Sequence, residues 1–279
     1  MGHSPQDPFR INVSDAICLG GGHGVNEDAH GRYQSRFWVL DGAGGGSAPL
    51  VRRFSEALAH DYGDLPLKSI CAKAMGRVSD AGHAGYDQNA ASFAMVMARI
   101  DRDWIEISCL SDCAAILWRG DKCEVYTDGR INKITKRTGR VINHVKNLVE
   151  NGDMPDHEGK ALVMRQIAKN KRMMNRPGGY YVGDIGGAAF KHAENWRVST
   201  RDVSQIILCS DGFMRLFDYQ LMTMHEFFTN GVTLDHAAEI LRLHERAMPA
   251  WTEIKRHDDI TAVRIQHIYQ EVITNEAIT

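Results

Sequence analysis

At 279 residues, 43% hydrophobic and 24% charged, the chain has the composition of an ordinary globular protein with material for a sizeable core, not that of a disordered chain. Its 33 basic and 35 acidic side chains leave a formal charge of −2 with no long single-sign block, so neither nucleic acid nor an anionic membrane is an expected partner. No stretch stays apolar over the roughly 18 residues that a membrane span needs. Six cysteines without a CxxC pair fit reduced, buried thiols in the cytoplasm better than a disulfide framework or a zinc site. The N-terminal MGHSPQDPFR has no apolar run for a signal peptide, and Gln6 stands where a myristoylation signal wants Ser or Thr.

Residues 11 to 19 alternate as a first strand, and GGHGVNEDAHG (21 to 31) follows as a glycine-rich connection carrying Glu27 and Asp28. A second strand ends in FWVLDGAGGG (37 to 46), which the pattern makes the hairpin partner of the first. Its apolar run delivers Asp41 to the strand mouth, and Gly42 lets the backbone turn there with its carbonyl open to a cation. From Ser47, an expected N-cap, Leu50, Phe54 and Leu58 mark an amphipathic helix, and Leu65 to Val78 marks another. ASFAMVMARI, WIEISCL, CAAILWRG and KCEVYT, between 91 and 127, read as an antiparallel meander. The first of these is apolar throughout, as in a sheet covered on both faces. Residues 128 to 185 are basic and punctuated by Gly and Pro; the expectation is an irregular, mobile insertion with one helix in VINHVKNLVENG, stopped at Gly152. QIILCSDGF (205 to 213) repeats the strand-to-acid grammar with Asp211 and Gly212. A helical region around 215 to 229 and a helix through Leu234, Ala237, Ala238 and Leu241 precede a last strand at 260 to 266, which follows Asp258 and Asp259 directly. No linker or repeat divides the chain, so one domain over 1–279 is expected.

Acids therefore stand beside strands at Glu27 and Asp28, Asp41, Asp112, Asp211 and Asp258. An Asp-Gly pair alone is an ordinary turn signal. Clustered carboxylates are costly inside a protein, however, and hard divalent cations are the usual resolution.

The ordered segments NEDAHG, VLDGAGG, CLSDCAA, LCSDGF and HDDITAV resemble the motifs of the metal-dependent type 2C protein phosphatase family, over most of the chain and in bacterial-like form. The resemblance implies an α+β fold, a four-layer αββα sandwich of two antiparallel sheets flanked by helix pairs. It also implies two Mn²⁺ or Mg²⁺ ions sharing a water that attacks a phosphomonoester, with a phosphorylated protein as substrate and a monomeric enzyme. By matched motif, Asp41 bridges both ions, the Gly42 carbonyl binds one, and Asp211 and Asp258 bind the other; Asp41 and Asp211 are the catalytic pair. Glu27 and Asp28 hold metal-bound waters, and Asp112 serves a third metal position. The insertion at 128–185 is similar to the family's flap. Two alternatives stay open: a pseudophosphatase acting as a binding module, and a small-molecule phosphatase on the same scaffold.

Several positions depart from the family pattern or have a plainer reading. His23 replaces the arginine that grips the substrate phosphate, and it reads equally as a loop residue. Ala43 replaces a histidine found in eukaryotic members. FMR after SDG departs from a bulky residue, Trp and Asp, a change read as one of packing. Asp259 rivals Asp258 as the ligand, and Asp112 reads equally as a hairpin cap. No GK(S/T) follows either glycine run, so a phosphate-binding P-loop is excluded.

Overall fold

The structure, a computed structural model, describes residues 9–22, 24–43, 45–82, 91–248 and 257–269. His23 and the N-terminal stretch through residue 8 lie outside the described residues. Ten strands form two antiparallel five-stranded sheets. In the first sheet the order is β2 (Ala29–Tyr33), β3 (Arg36–Ala43), β4 (Ser92–Ile100), β5 (Trp104–Leu110) and β8 (Glu194–Ser199). In the second it is β1 (Phe9–Leu19), β10 (Ile260–Tyr269), β9 (Val203–Cys209), β6 (Ala114–Arg119) and β7 (Lys122–Thr127).

Period-two alternation divides each strand between two cores. On β4, Ala94, Val96 and Ala98 face the opposite sheet, while Phe93, Met95 and Met97 face α1 (Ala48–Leu58) and α2 (Leu67–Asp80). That double coverage explains why β4 is apolar at almost every position. On the far side, Ile207 and Cys209 of β9 pack with α5 (Asp211–Asp218), α6 (Met224–Thr229) and α7 (Leu234–Ala247). The layers are thus helices, sheet, sheet, helices, the expected αββα sandwich. All six cysteines are unpaired, four of them buried.

Four details correct the sequence reading. The first strand does not pair with the Asp41 strand: β1 pairs with β10, and β3 pairs with the short β2 at the end of the NED segment. The 91–127 strands are two hairpins in facing sheets, since β4 pairs β5 and β6 pairs β7, and the chain crosses between sheets at Ser111, Asp112 and Cys113. The insertion is more regular than its composition suggests. It carries α3 (Arg130–Glu150) and α4 (Asp156–Lys171), with Gly152 at φ +78° just past the first helix. β8 was not anticipated; it is a sheet edge paired only with β5, so only alternate residues, Trp196 and Val198, reach the inter-sheet core.

Ser47 precedes α1 but its side chain makes no cap. Its hydroxyl donates to the Ala43 carbonyl at 2.6 Å and accepts from the Ser92 N–H at 3.1 Å, tying the end of β3 to β4.

Candidate metal centre

Strand parity aims the first acid. Phe37 and Val39 of β3 face the second sheet and Trp38 and Leu40 face the helices, so Asp41 falls on the side of the second sheet. Gly42 is required by crowding: a Cβ there would lie 2.5 Å from the Glu27 carbonyl oxygen and 2.6 Å from the Glu27 Cβ. Pairing of Ala29 with Leu40 then sets Asp28 beside Asp41.

The second sheet brings its acids to the same end. The Ser210 N–H donates to the Thr261 carbonyl at 2.9 Å, and the Thr261 N–H donates to the Ser210 hydroxyl at 3.0 Å, which locks the end of β9 to the start of β10. α5 begins at Asp211, where the helix N-terminus favours a carboxylate. A Cβ on Gly212 would lie 1.9 Å from the Asp259 carbonyl oxygen, so glycine is what lets α5 start against the 258–259 segment. Asp112 stands in the crossover between β5 and β6, following Ser111 at φ +67°, and accepts the Ser111 hydroxyl at 3.1 Å. Its turn joins two sheets and is not a hairpin within one. Tyr180, from the NRPGGYYVGDIG segment, is near enough that the Asp112 charge adds to burial in raising its phenol.

These acids share one electrostatic field. Burial, and then the charges of Asp211, Asp28, Asp112 and Asp258, push the Asp41 carboxyl well above the usual range. Burial pushes Asp28 up to about 7; the Thr261 hydroxyl opposes this, and Asp259, Asp211 and Asp258 add to it. Asp28 is only 6% exposed, and neither of its carboxyl oxygens accepts a well-formed hydrogen bond among the described residues.

The remaining candidates have partners of their own. The Glu27 carboxylate accepts the N–H of Ser47 at 2.6 Å and of Gly45 at 3.3 Å, so it holds the loop leading into α1. Asp259 accepts the N–H of Gly21 and of Glu27, both at 2.7 Å, so it pins the NED connection to the start of β10. Asp258 instead pairs with Arg215, whose guanidinium reaches its Oδ2 at 2.5 Å. The replacement after SDG therefore concerns charge as well as packing. Arg215 is four residues beyond Asp211 on α5 and so shares its face. That i to i+4 spacing was the available signal. Behind Asp258 stands Glu245, fully buried, which takes Arg242 at 2.6 Å, His257 at 2.9 Å and Arg215 at 3.4 Å. Beyond the i to i+3 spacing of Arg242 and Glu245 on α7, nothing local in the sequence marks this network, because its other members come from α5 and the chain before β10.

Among the described residues, no three or more His, Cys, Asp or Glu side chains are arranged as a ready metal cage. The chemistry on the β3 side nonetheless fits a hard cation. Its ligand atoms are all oxygen, Asp28 has two buried oxygens without a well-formed hydrogen bond among the described residues, and Asp41 is destabilised as a carboxylate by burial and then by its neighbours. A divalent ion is the group that satisfies all three conditions.

The sandwich and the acids at its open end define a class, the type 2C phosphatase fold. Among solved structures the chain is similar to the serine/threonine phosphatase Stp1 from Staphylococcus aureus, with TM-score 0.57, 14% identity, and 92% of this chain and 94% of that chain covered. It is similar to PppA, a key regulatory component of T6SS in Pseudomonas aeruginosa, with TM-score 0.56, 14% identity, and 93% and 98% covered. A third neighbour is the catalytic domain of the serine threonine protein phosphatase PstP in complex with two manganese ions, with TM-score 0.52, 14% identity, and 93% and 98% covered. At these identities the likeness is one of fold. No protein-family model matches the chain, and no curated protein sequence matches it.

Proposed function

We propose that the protein is a metal-dependent phosphomonoester hydrolase acting on phosphoserine or phosphothreonine in proteins. The observation that carries this reading is the convergence of Asp28, Asp41, Asp112, Asp211 and Asp258 at one end of the sandwich, with Asp28 and Asp41 raised by burial and by the neighbouring carboxylates. Mg²⁺ or Mn²⁺ bound there supplies positive charge against a phosphate ester and lowers the pKa of water. Asp28, Asp41 and Asp211 are the residues to hold it, with the Gly42 carbonyl beside them. Asp112 is the proposed further position, and Glu27 orients the loop around the centre. His23 is the proposed phosphate contact. Cys113 lies beside the acids, but burial and then Asp41 push its thiol well up, so it is no thiolate nucleophile. The whole chain acts as one unit, with the 128–185 insertion as a flap over the centre, and as a monomer. The unpaired cysteines support a reducing, cytoplasmic setting. Among the described residues no helix is long and apolar enough to cross a membrane.

The test is release of phosphate from phosphopeptides and p-nitrophenyl phosphate with and without Mn²⁺. Asp41→Asn is expected to lower the metal-dependent rate more than about 100-fold. An unchanged rate in that variant, or no release from any substrate, sinks the reading. The Arg215–Asp258 pair favours a second reading, a binding module that turns over nothing. His23→Arg separates the two, since activity gained there marks a hydrolase weakened at its phosphate contact. A phosphorylated metabolite hydrolysed faster than every phosphopeptide would move the substrate class to small molecules.

A further inference from the structure

The acidic end has two unlike halves. At Asp28, 6% exposed, neither carboxyl oxygen accepts a well-formed hydrogen bond among the described residues. Around Asp258 negative charge meets a cation built into the chain. The Arg215 side chain is 14% exposed and bonds Asp258 in front and Glu245 behind. A guanidinium stays charged in proteins, and here it has a carboxylate on either side. Arg242 adds a second clamp, donating to the Asp258 carbonyl at 2.6 Å as well as to Glu245. Glu245, buried and bonded by Arg242 and His257 as well, holds Arg215 from behind, so moving Arg215 away takes one cation from a buried carboxylate.

We propose that Arg215 occupies, as a fixed cation, the position at Asp258 that the family resemblance gives to a second divalent ion, so that the centre gathers one metal on Asp28, Asp41 and Asp211. This rests on the metal-centre reading above. A divalent ion brought to Asp258 meets the repulsion of a guanidinium already bonded to that carboxylate and competes with it for the same oxygens. Among the described residues no such competitor stands at Asp28.

The experiment is equilibrium binding of Mn²⁺ to the full chain, read by the electron paramagnetic resonance of free Mn²⁺, for the wild type, Arg215→Met, Arg215→Lys and Asp41→Asn. The wild type is expected to bind one Mn²⁺ tightly. Arg215→Met, which keeps the apolar stem and removes the charge, is expected to gain a second ion or to tighten the weak step by about 10- to 100-fold. Arg215→Lys keeps the charge and should resemble the wild type. Two ions of similar affinity in the wild type, or the same isotherm in wild type and Arg215→Met, overturn the inference. Asp41→Asn decides the underlying reading separately: loss of all bound Mn²⁺ upholds the metal centre even where the Arg215 variants overturn its one-metal form, and a wild type that binds none removes both. If circular dichroism shows Arg215→Met unfolded, the double variant with Glu245→Gln removes the buried acid and is measured in its place. Anomalous scattering from Mn²⁺-soaked wild-type crystals gives an independent count: one ion with the Arg215–Asp258 pair intact supports the inference, and an ion on Asp258 overturns it.

Discussion

Asp28 is the residue whose surroundings most need something from outside the chain, because it is nearly inaccessible and neither oxygen meets a well-formed donor among the described residues. Its folded-state pKa of about 7, against the ordinary 3.8, means that the folded protein takes up more protons than the unfolded chain between those values. The stability it contributes is therefore fully present below about pH 3.8 and lost as pH rises through about 7. Urea unfolding in chelator should show Asp28→Asn more stable than wild type at pH 7.5 and much closer to it at pH 4.5, with Mn²⁺ narrowing the gap at the higher pH by stabilising the wild type. An equal effect at both pH values would show that the carboxylate charge is not what burial opposes. Asp28 was legible as an acid near a strand, and so were Asp41 and Asp211, because an apolar run ending in Asp-Gly is a local signal. Arg215 was legible as a letter and misjudged in its role, since its effect depends on Asp258, 43 residues further on, being one hydrogen bond away.

At the scale of elements, the join between β9, α5 and the start of β10 sets the second half of the site. Gly212 has no room for even a methyl group against the Asp259 carbonyl. Gly212→Ala must push α5 or the 258–259 segment aside, at a cost of roughly 1–3 kcal/mol typical of overpacking. Thermal unfolding should register that loss, and Mn²⁺ binding should weaken along with it because Asp211 moves. Full stability in the variant would mean that the two segments are not held as closely as the glycine requires. Strands and helices were largely readable from their periods, but their partners were not. β3 was expected to pair with β1 and pairs with β2 and β4 instead, because alternation says which face of a strand is buried and nothing about which neighbour lies beside it. The turn at 34–35, with Gln34 at φ +53°, separates β2 from β3, and the Arg36 guanidinium stacks over the Tyr33 ring across it.

At the scale of the whole molecule, α3 and α4 pack mainly on each other, with Val145, Gly159 and Val163 buried between them, and add little to the two sheet cores. Replacing residues 132–170 with a short Gly-Ser linker, which keeps the Asp128–Arg130 pair, should leave the cooperative unfolding of the sandwich within about 1 kcal/mol of wild type. Phosphopeptide turnover should change more than turnover of p-nitrophenyl phosphate if the hairpin serves as a flap, and a collapse of the thermal transition would show instead that the sandwich leans on it. The layered architecture was readable because paired helices and a doubly covered strand imply it, and the second half of α3 was readable from VINHVKNLVENG, whereas α4 was hidden by its polar, weakly amphipathic sequence. The pairing of β1 with β10 carries a consequence for synthesis. Among the described residues, β1 has as its ladder partner β10, which is made long after it, and β10 is itself an interior strand of its sheet. One sheet can zip up early, but the other must wait for translation to reach residue 260 and beyond. Until then a nascent chain carries an open β edge for chaperones to guard, and the acidic centre, to which Asp258 comes directly before β10, is assembled only once that strand is made.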